Sequence, residues 1–175
     1  TKIDVDFASG VKTLLRQDPD IIMIGEIRDR NTAEMAVQAA LTGHLVLSTL
    51  HTNDAPSAVA RLSEIGVPPY LISATLLGVV AQRLVRTLCP HCKKPVEIDE
   101  EQWKSLIRPW KTAAPKTVYQ ADGCLECRQT GYMGRKGIYE IMPLTDELKA
   151  GINDDFDLLK FRNNAIKGGM QPLNL

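Results

Sequence analysis

An acidic side chain, Glu26, follows a short apolar segment, Ile21–Ile24, with only Gly25 between them. Such a segment predicts a buried strand, and ligands of open α/β sheets bind at the carboxyl ends of strands. A carboxylate fixed there can orient a water bound to Mg²⁺, or the attacking water itself, in phosphoryl transfer. Because many buried strands end in Asp or Glu, a carboxylate that only caps a helix or forms a salt bridge is the structural alternative.

A second apolar segment, residues 45–47, leads in the same way to small polar residues and a histidine. We expect this strand to deliver Ser48, Thr49 and His51 to its carboxyl end, close to the end of the first strand. An imidazole there can hydrogen-bond a terminal phosphate. A purely structural histidine is the alternative, but the small polar residues around it favour the functional interpretation.

Four cysteines form two pairs with the spacing of metal ligands: Cys89 with Cys92, and Cys124 with Cys127, with 31 residues between the pairs. Four thiolates bind Zn²⁺ tetrahedrally and leave no open position, so we expect a structural rather than a catalytic zinc. The gap exceeds the common one of about 15–20 residues, and an inserted loop would account for it. Two disulfides of a secreted domain are the alternative; the tight pairs without an export signal favour metal. His91, inside the first pair, is not an expected ligand.

The elements that must position these side chains can be predicted from periodicity and capping residues. Alternating helices and fully covered strands with short connections predict an α/β fold with a parallel sheet and right-handed crossovers. We expect strands over residues 21–24 and 45–47, and helices over residues 7–17 and 68–88, the second of them long and apolar. Two further helices are expected from their terminal residues. The first has Asn31 as its N-cap and ends at Gly43, and the second has Asp54 as its N-cap and ends at Gly66.

Short segments rich in glycine and proline dominate after residue 88. We expect a small helix near residues 99–108, a strand over 138–142, and helices over 145–151 and 156–168. The chain is therefore expected to have three parts: residues 1–88 with the two strand-end motifs, residues 89–130 with the four cysteines and an inserted loop, and a helical and strand segment over residues 131–175.

The charge balance argues against nucleic acid as the main partner. Residues 1–88 hold 8 basic and 9 acidic side chains, and residues 89–175 hold 13 and 12. Neither half has the basic surplus that nucleic-acid binding needs.

No apolar run approaches the roughly 20 residues of a membrane-spanning helix, and the first residues do not resemble a signal peptide. The lack of an initiator Met suggests an excised piece.

In combination, these motifs closely resemble the type II secretion and type IV pilus assembly ATPase family, ring-forming P-loop motors of bacteria. The resemblance covers nearly the whole chain, to about Met170, and its motifs are specific. It rests on residues 7–20, 25–29, 48–54, 61–62, 81–86, 88–92, 131–135 and 137–141.

The resemblance implies part of a RecA-like P-loop NTPase core, a parallel sheet with flanking helices, joined to a small zinc-binding subdomain. It gives Glu26 the Walker B acidic role and places His51 in the family's His box, of which His44 is the first histidine. Arg28 and Asp29 are expected to pair and brace the loop between them and the strand. The remaining candidates for the nucleotide site or a subunit boundary are Gly25, Thr49, Arg83 and Arg86, although a surface position is the alternative for the two arginines.

The same resemblance implies a parent protein that is a cytoplasmic homo-hexamer. It would hydrolyse ATP with Mg²⁺ and drive type II secretion or type IV pilus assembly through assembly proteins at the inner membrane. The four-cysteine module is typical of assembly-type members, and retraction-type pilus motors generally lack it. A zinc-stapled protein-interaction module with no motor function is the alternative, and a nucleic-acid-binding zinc ribbon is a variant that the charge balance disfavours.

Two elements of the family are not found in these 175 residues. There is no G-x4-G-K-S/T phosphate-binding loop, and no acidic segment of the kind that supplies the family's catalytic Glu ahead of the Walker B strand. Members of the family also continue beyond the stretch that matches residues 168–173. We therefore expect a piece of a longer protein that folds but does not hydrolyse ATP alone; a degenerate paralogue is the alternative.

Overall fold

The computed structural model describes residues 17, 19–107 and 112–173. The helix predicted over residues 7–17 lies almost wholly outside them. The described elements are β1 (Ile21–Ile24), α1 (Arg30–Leu41), β2 (Leu45–Ser48), α2 (Ala55–Ile65), α3 (Pro69–Thr75), β3 (Gly78–Leu88), β4 (Lys94–Val96), α4 (Glu100–Leu106), β5 (Val118–Gln120), β6 (Tyr132–Pro143), α5 (Asp146–Ala150) and α6 (Leu158–Lys167).

The predicted parallel sheet is present as β1 and β2, joined through α1. Ile21 pairs with Leu45, and the register runs on to Ile24 and Ser48. Parallel neighbours need a crossover, and the twelve residues of α1 provide it. Both strands therefore end at the same edge of the sheet, and the mixed α/β class predicted from the sequence is confirmed.

Only one face of this sheet is covered in the described part of the chain, which corrects the prediction of strands covered on both faces. Ile22 and Ile24 pack against Ala36 and Ala39 of α1. The alternate residues point the other way: Met23 is 76% exposed. The remaining exposed apolar side chains of that face are Ile21, Leu45 and Leu47. Side chains alternate between the faces of a strand, so one covering helix leaves half of them in water.

The two helices that follow the strands begin at aspartates. Asp29, not Asn31, is the N-cap of α1: its side chain accepts a hydrogen bond from the Thr32 backbone N–H. The predicted N-cap was two residues late because Asp is as good a cap as Asn. Asp54 caps α2 as predicted and accepts from the Ser57 N–H, and Gly66 ends that helix in the left-handed conformation at φ 102°.

The long helix predicted over residues 68–88 is wrong beyond Thr75. Only α3 is helical; Leu76 is extended, and Gly78–Leu88 forms β3, which pairs with β6. Hydrogen bonds join Leu144 to Leu77 beside one end of the pair and Cys89 to Gly131 beside the other, so the strands run antiparallel. The valines of this segment favour a strand once a partner is present. Consequently, Arg83 and Arg86 lie on a strand rather than on a helix.

The chain divides into two compact units, residues 1–81 with 140–170 and residues 82–139 with 171–175. The core of the first contains Val59, Ile72, Met142 and Phe161, from α2, α3, β6 and α6. In the second, β4 and β5 pair antiparallel near the cysteines, with α4 close to its predicted place. The division into three domains at residues 88 and 130 stays a prediction.

Within the described ranges, no helix is long and apolar enough to cross a membrane.

Candidate functional site

Glu26 and His51 meet just beyond the carboxyl ends of β1 and β2. The Nε2 atom of His51 lies 3.1 Å from Oε2 of Glu26. Because an ionised carboxylate only accepts hydrogen bonds, Nε2 carries the proton in this contact. The side chains are accessible, with 84% of His51 and 32% of Glu26 exposed. The pair can therefore present a carboxylate and an imidazole together to a molecule at this edge of the sheet.

The backbone that carries these two side chains continues the strand pairing past the strand ends. The Thr49 hydroxyl donates to the Gly25 carbonyl over 2.7 Å, and the Ile27 N–H donates to the Thr49 carbonyl over 3.0 Å. Thr49 thus clamps one loop to the other. A Cβ atom added to Gly25 would meet no described atom within 4 Å, so the edge beside Gly25 is open.

Arg28 is the second partner of Glu26. Its Nη2 atom lies 2.6 Å from Oε1 of the carboxylate. This hydrogen bond is the main reason that the pKa of Glu26 lies below its ordinary value, and the hydrogen bond with His51 contributes in the same direction. Glu26 is therefore ionised at neutral pH, and its two oxygen atoms are engaged by one cation and one imidazole.

The expected pairing of Arg28 with Asp29 is not what the structure shows. Asp29 accepts hydrogen bonds from the backbone and the hydroxyl of Thr32, at 2.9 and 3.0 Å. The backbone bond is the main cause of its lowered pKa. As the N-cap, the Asp29 side chain satisfies backbone donors at the start of α1. Arg28 instead contacts the carboxylate of Glu26, two residues before it in the sequence. Asp29 therefore sets the residue at which α1 begins, and with it the end of the loop that carries Glu26.

His44 lies at the other end of β2 from His51. Its Nδ1 atom is 2.9 Å from the Thr42 hydroxyl and 3.0 Å from the Ala39 carbonyl oxygen. The half-buried ring closes the turn between α1 and β2. The structure therefore brings His51, but not His44, to Glu26.

The two arginine candidates lie on the exposed part of β3, in the second unit. The guanidinium carbon of Arg86 lies 3.9 Å from the ring centre of Tyr132, which is a cation–π contact. Arg83 is exposed at the middle of the strand.

Two charged residues near α2 were not singled out from the sequence. Glu140 of β6 is only 2% exposed, and its Oε1 atom accepts a hydrogen bond from the Ala55 N–H over 2.6 Å. Arg162 of α6 donates to Asp54 over 2.5 Å. The contacts join residues 85 and 108 positions apart, so no local pattern could have predicted them.

The four cysteines form one cluster in the second unit. All four sulfur atoms lie within 4.8 Å of one another. Sulfur–sulfur distances are 3.9 Å for Cys89 and Cys124, 3.8 Å for Cys92 and Cys127, and 3.7 Å for Cys124 and Cys127. A tetrahedral zinc with Zn–S bonds of about 2.3 Å has edges of about 3.8 Å. The donor set and its spacing therefore fit a closed tetrahedral metal site.

Backbone donors around Cys127 favour its thiolate form. The N–H groups of Cys124 and Gly131 each lie 3.2 Å from its sulfur. Removal from water opposes ionisation, yet these donors outweigh it and lower the pKa of Cys127 to about 6. Desolvation and the neighbouring thiols raise the pKa of Cys92 to about 12. Without a cation the cluster does not hold four thiolates at neutral pH, and a divalent metal would offset part of their negative charge.

Comparison with known sequences gives matches along almost the whole chain. The model of the family described as type II/IV secretion system protein matches residues 1–173. The type IV pilus assembly ATPase TfpB of Acinetobacter baylyi is 58% identical over 173 residues, which are 99% of this chain and 30% of that protein. The type II secretion system protein E of Pseudomonas aeruginosa is 55% identical over 96% of this chain and 33% of its own length.

Comparison with solved structures agrees with the fold. The pilus retraction motor PilT with bound ADP superposes with a TM-score of 0.61 at 27% identity, covering 96% of this chain and 37% of that structure. The chain thus spans about a third of the length of the proteins that it resembles.

Proposed function

The chain belongs to the type II/IV secretion system protein family, and we propose from this premise that its parent protein is an ATPase that drives type II protein secretion or type IV pilus assembly. Homologous ATPases carry both names. The observation that carries the proposal is the contact between Glu26 and His51 at the shared edge of two parallel strands, because this is where open α/β sheets bind ligands.

We assign Glu26 and His51 the central roles at this edge. The ionised Glu26 would orient water near the terminal phosphate of ATP, either directly or within the hydration shell of Mg²⁺. His51 would hydrogen-bond that phosphate, since a ring that donates to Glu26 in the absence of nucleotide can exchange partners when phosphate oxygen atoms arrive. Arg28 would hold the ionised Glu26 in place through its ion pair, and Thr49 would hold the two loops in register beside Gly25.

The remaining candidates lie away from this contact. His44 is at the opposite end of β2, and Arg83 and Arg86 are exposed on β3. We propose a boundary between subunits of a homo-hexamer as the place where these three side chains act. Asp29 supports the site indirectly as the N-cap of α1.

In the parent protein, further structural elements would complete the domain to which these residues contribute. The apolar face of β1 and β2 around Met23 is exposed in the described residues, and faces of this kind are normally covered by further elements. The phosphate-binding loop that ATP requires would lie in the remaining two thirds of the protein. The parent would act in the cytoplasm, bound to the inner membrane only through the assembly proteins of its machine, with no nucleic-acid partner.

We propose Zn²⁺ as the metal of the four-cysteine cluster. The ligands would be Cys89, Cys92, Cys124 and Cys127, and the metal would cross-link the two cysteine pairs. With four thiolate ligands no position is left for substrate, so the role is structural.

The 175 residues alone are expected to show negligible ATPase activity, because their sequence contains no phosphate-binding loop. Phosphate release by the purified chain should equal that of a Glu26→Gln variant. Turnover that depends on Glu26 in the isolated chain would contradict this expectation.

The main test uses the full-length protein. Glu26→Gln should lower the turnover number for ATP by at least about 100-fold, because a neutral amide cannot replace a carboxylate that orients water. ATP binding should persist. The matched control is Glu34→Gln, an exposed carboxylate on α1 that pairs with Arg30. Unchanged turnover in Glu26→Gln, or a wild-type protein that binds no nucleotide, would reject the motor assignment.

A zinc-stapled interaction module without motor function is the second candidate, favoured by the cysteine geometry alone. It needs no contact between Glu26 and His51. Secretion or pilus assembly that survives Glu26→Gln but not Cys124→Ser would support this second candidate.

A further inference from the structure

A buried carboxylate holds the start of α2. Glu140 is 2% exposed and accepts a hydrogen bond from the N–H of Ala55, the first residue of that helix. Burying a carboxylate is costly unless opposite charge or donors compensate it. The N-terminus of a helix supplies both unpaired N–H groups and the positive end of the helix dipole. Glu140 therefore fastens α2 to β6 at this one end.

A second carboxylate secures the same helical turn. Asp54 accepts from the Ser57 N–H over 2.9 Å as the N-cap, and Arg162 of α6 donates to its other oxygen over 2.5 Å. Only 24% of the Asp54 side chain is exposed. The first turn of α2 is thus tied both to β6, through Glu140, and to α6, through Arg162.

His51 lies in the loop between Thr49, which follows the end of β2, and the first turn of α2. On one side Thr49 is bonded to Gly25 and Ile27; on the other, the Thr52 hydroxyl donates to the Asp54 carbonyl oxygen over 3.2 Å. The imidazole is 84% exposed, so packing does little to fix it. Apart from its contact with Glu26, the position of the ring depends on the two ends of the loop.

We propose that Glu140 is a positioning residue that sets the loop carrying His51 and so holds the imidazole against Glu26. As a contribution to catalysis this role rests on the proposed function, but the effect on the geometry does not. When the Ala55 N–H loses its partner, the first turn of α2 frays and the loop before it relaxes.

The imidazole of His51 is the readout for the geometric effect. The chain has three histidines, so the ring signals can be resolved by NMR and assigned by substitution. Glu140→Asp keeps the charge but shortens the side chain by one methylene, which breaks the contact with Ala55. Its His51 signals should move toward their positions in Glu26→Ala, in which the contact is also lost. Glu140→Gln keeps the length and an acceptor oxygen, so it should move them less.

Glu64→Asp is the matched control, the same shortening at an exposed site near the far end of α2. It should leave the His51 signals in place. Unchanged His51 signals in a folded Glu140→Asp protein would overturn the proposal. If no Glu140 variant folds, Arg162→Gln decides: it loosens the same turn through Asp54, and unchanged His51 signals in it would also overturn the proposal.

The catalytic effect is measured separately in the full-length protein. Glu140→Asp should lower kcat about tenfold or more, with KM for ATP changed less than about twofold, because misplacing one group mainly affects the reacting geometry. If the wild-type protein hydrolyses no ATP, the proposed function fails, and the NMR comparison still decides the role of Glu140. Wild-type kcat in Glu140→Asp would overturn the catalytic contribution.

Discussion

Met23 and Ile24 are consecutive residues of β1, yet Met23 is 76% exposed and Ile24 is 1% exposed. Ile24 packs in the cluster formed with Ile22, Ala36 and Ala39, beneath α1. The sheet that carries Glu26 and His51 therefore depends on one packed face. Among the residues that the structure describes, the other face has no covering element and contributes little to stability.

Truncation of these two neighbours should have very different effects. Ile24→Ala should lower the free energy of unfolding by about 2–5 kcal/mol, because it removes buried methylene groups and leaves a cavity. Met23→Ala should change it by less than about 0.5 kcal/mol in the isolated chain. Urea unfolding followed by circular dichroism measures both. A large cost for Met23→Ala would show that the exposed face is covered after all.

The ion pair with Arg28 lowers the pKa of Glu26. Since the hydrogen bond from Arg28 is the largest contribution that lowers this pKa, Arg28→Gln should raise the pKa of Glu26 toward its ordinary value of 4.5. Carboxyl ¹³C titration reports it, with the signal assigned by its loss in Glu26→Gln. Arg30→Gln, whose partner is Glu34, is the control and should leave the titration of Glu26 unchanged. The same midpoint in Arg28→Gln and in the wild type would contradict this account.

Asp54 should make stability depend on pH. Partial burial acts to raise its pKa, but hydrogen bonds from Ser57 and the charge of Arg162 outweigh burial, so the pKa lies below 3.8. A lowered folded-state pKa means that the stabilisation is fully present above 3.8 and is lost as the pH falls through the lower value. Asp54→Ala should therefore cost about 1 kcal/mol at neutral pH, and the difference from the wild type should shrink in acid.

Urea unfolding at several pH values between neutrality and about pH 3 measures this difference. Asp154→Ala, a substitution at an exposed aspartate, is the control and should match the wild type throughout. A constant difference between Asp54→Ala and the wild type at all pH values would show that the carboxylate charge is not involved.

The cysteine cluster should hold about one zinc ion per chain. Cys124→Ser should abolish stoichiometric zinc, because each ligand closes the tetrahedron, whereas His91→Ala should retain it. Metal analysis of the purified proteins gives the ratio. Zinc removal by a strong chelator should increase amide hydrogen exchange in residues 89–127 more than in the parallel sheet. Equal zinc in Cys124→Ser and in the wild type would exclude the four-thiolate site.

Features that depend on nearby residues were predicted well from the sequence. Two short apolar strands joined by one helix favour parallel neighbours. The two strands pair in this way, so their ends, and with them Glu26 and His51, come together. The cysteine pairs and the caps at Asp54 and Gly66 are likewise local signals. The N-cap of α1 is Asp29 rather than the predicted Asn31. Both residue types are good N-caps, and only the folded helix selects between them.

Features that depend on distant partners were not predicted. The apolar segment of β3 has no local sign of its partner β6, which lies more than 40 residues further along the chain. Continuous apolar sequence fits a buried helix or a strand equally well, and the pairing decides. Glu140 and Arg162 act across 85 and 108 positions for the same reason.

The central claim is that Glu26 and His51 act together on one bound triphosphate, and a double-mutant cycle on ATP turnover in the full-length protein tests it most directly. Glu26→Gln and His51→Gln should each lower turnover, and the double variant should be no slower than the slower single variant, since two groups that act as one unit have non-additive effects. Independent effects that multiply in the double variant, or wild-type turnover in His51→Gln, would contradict the account.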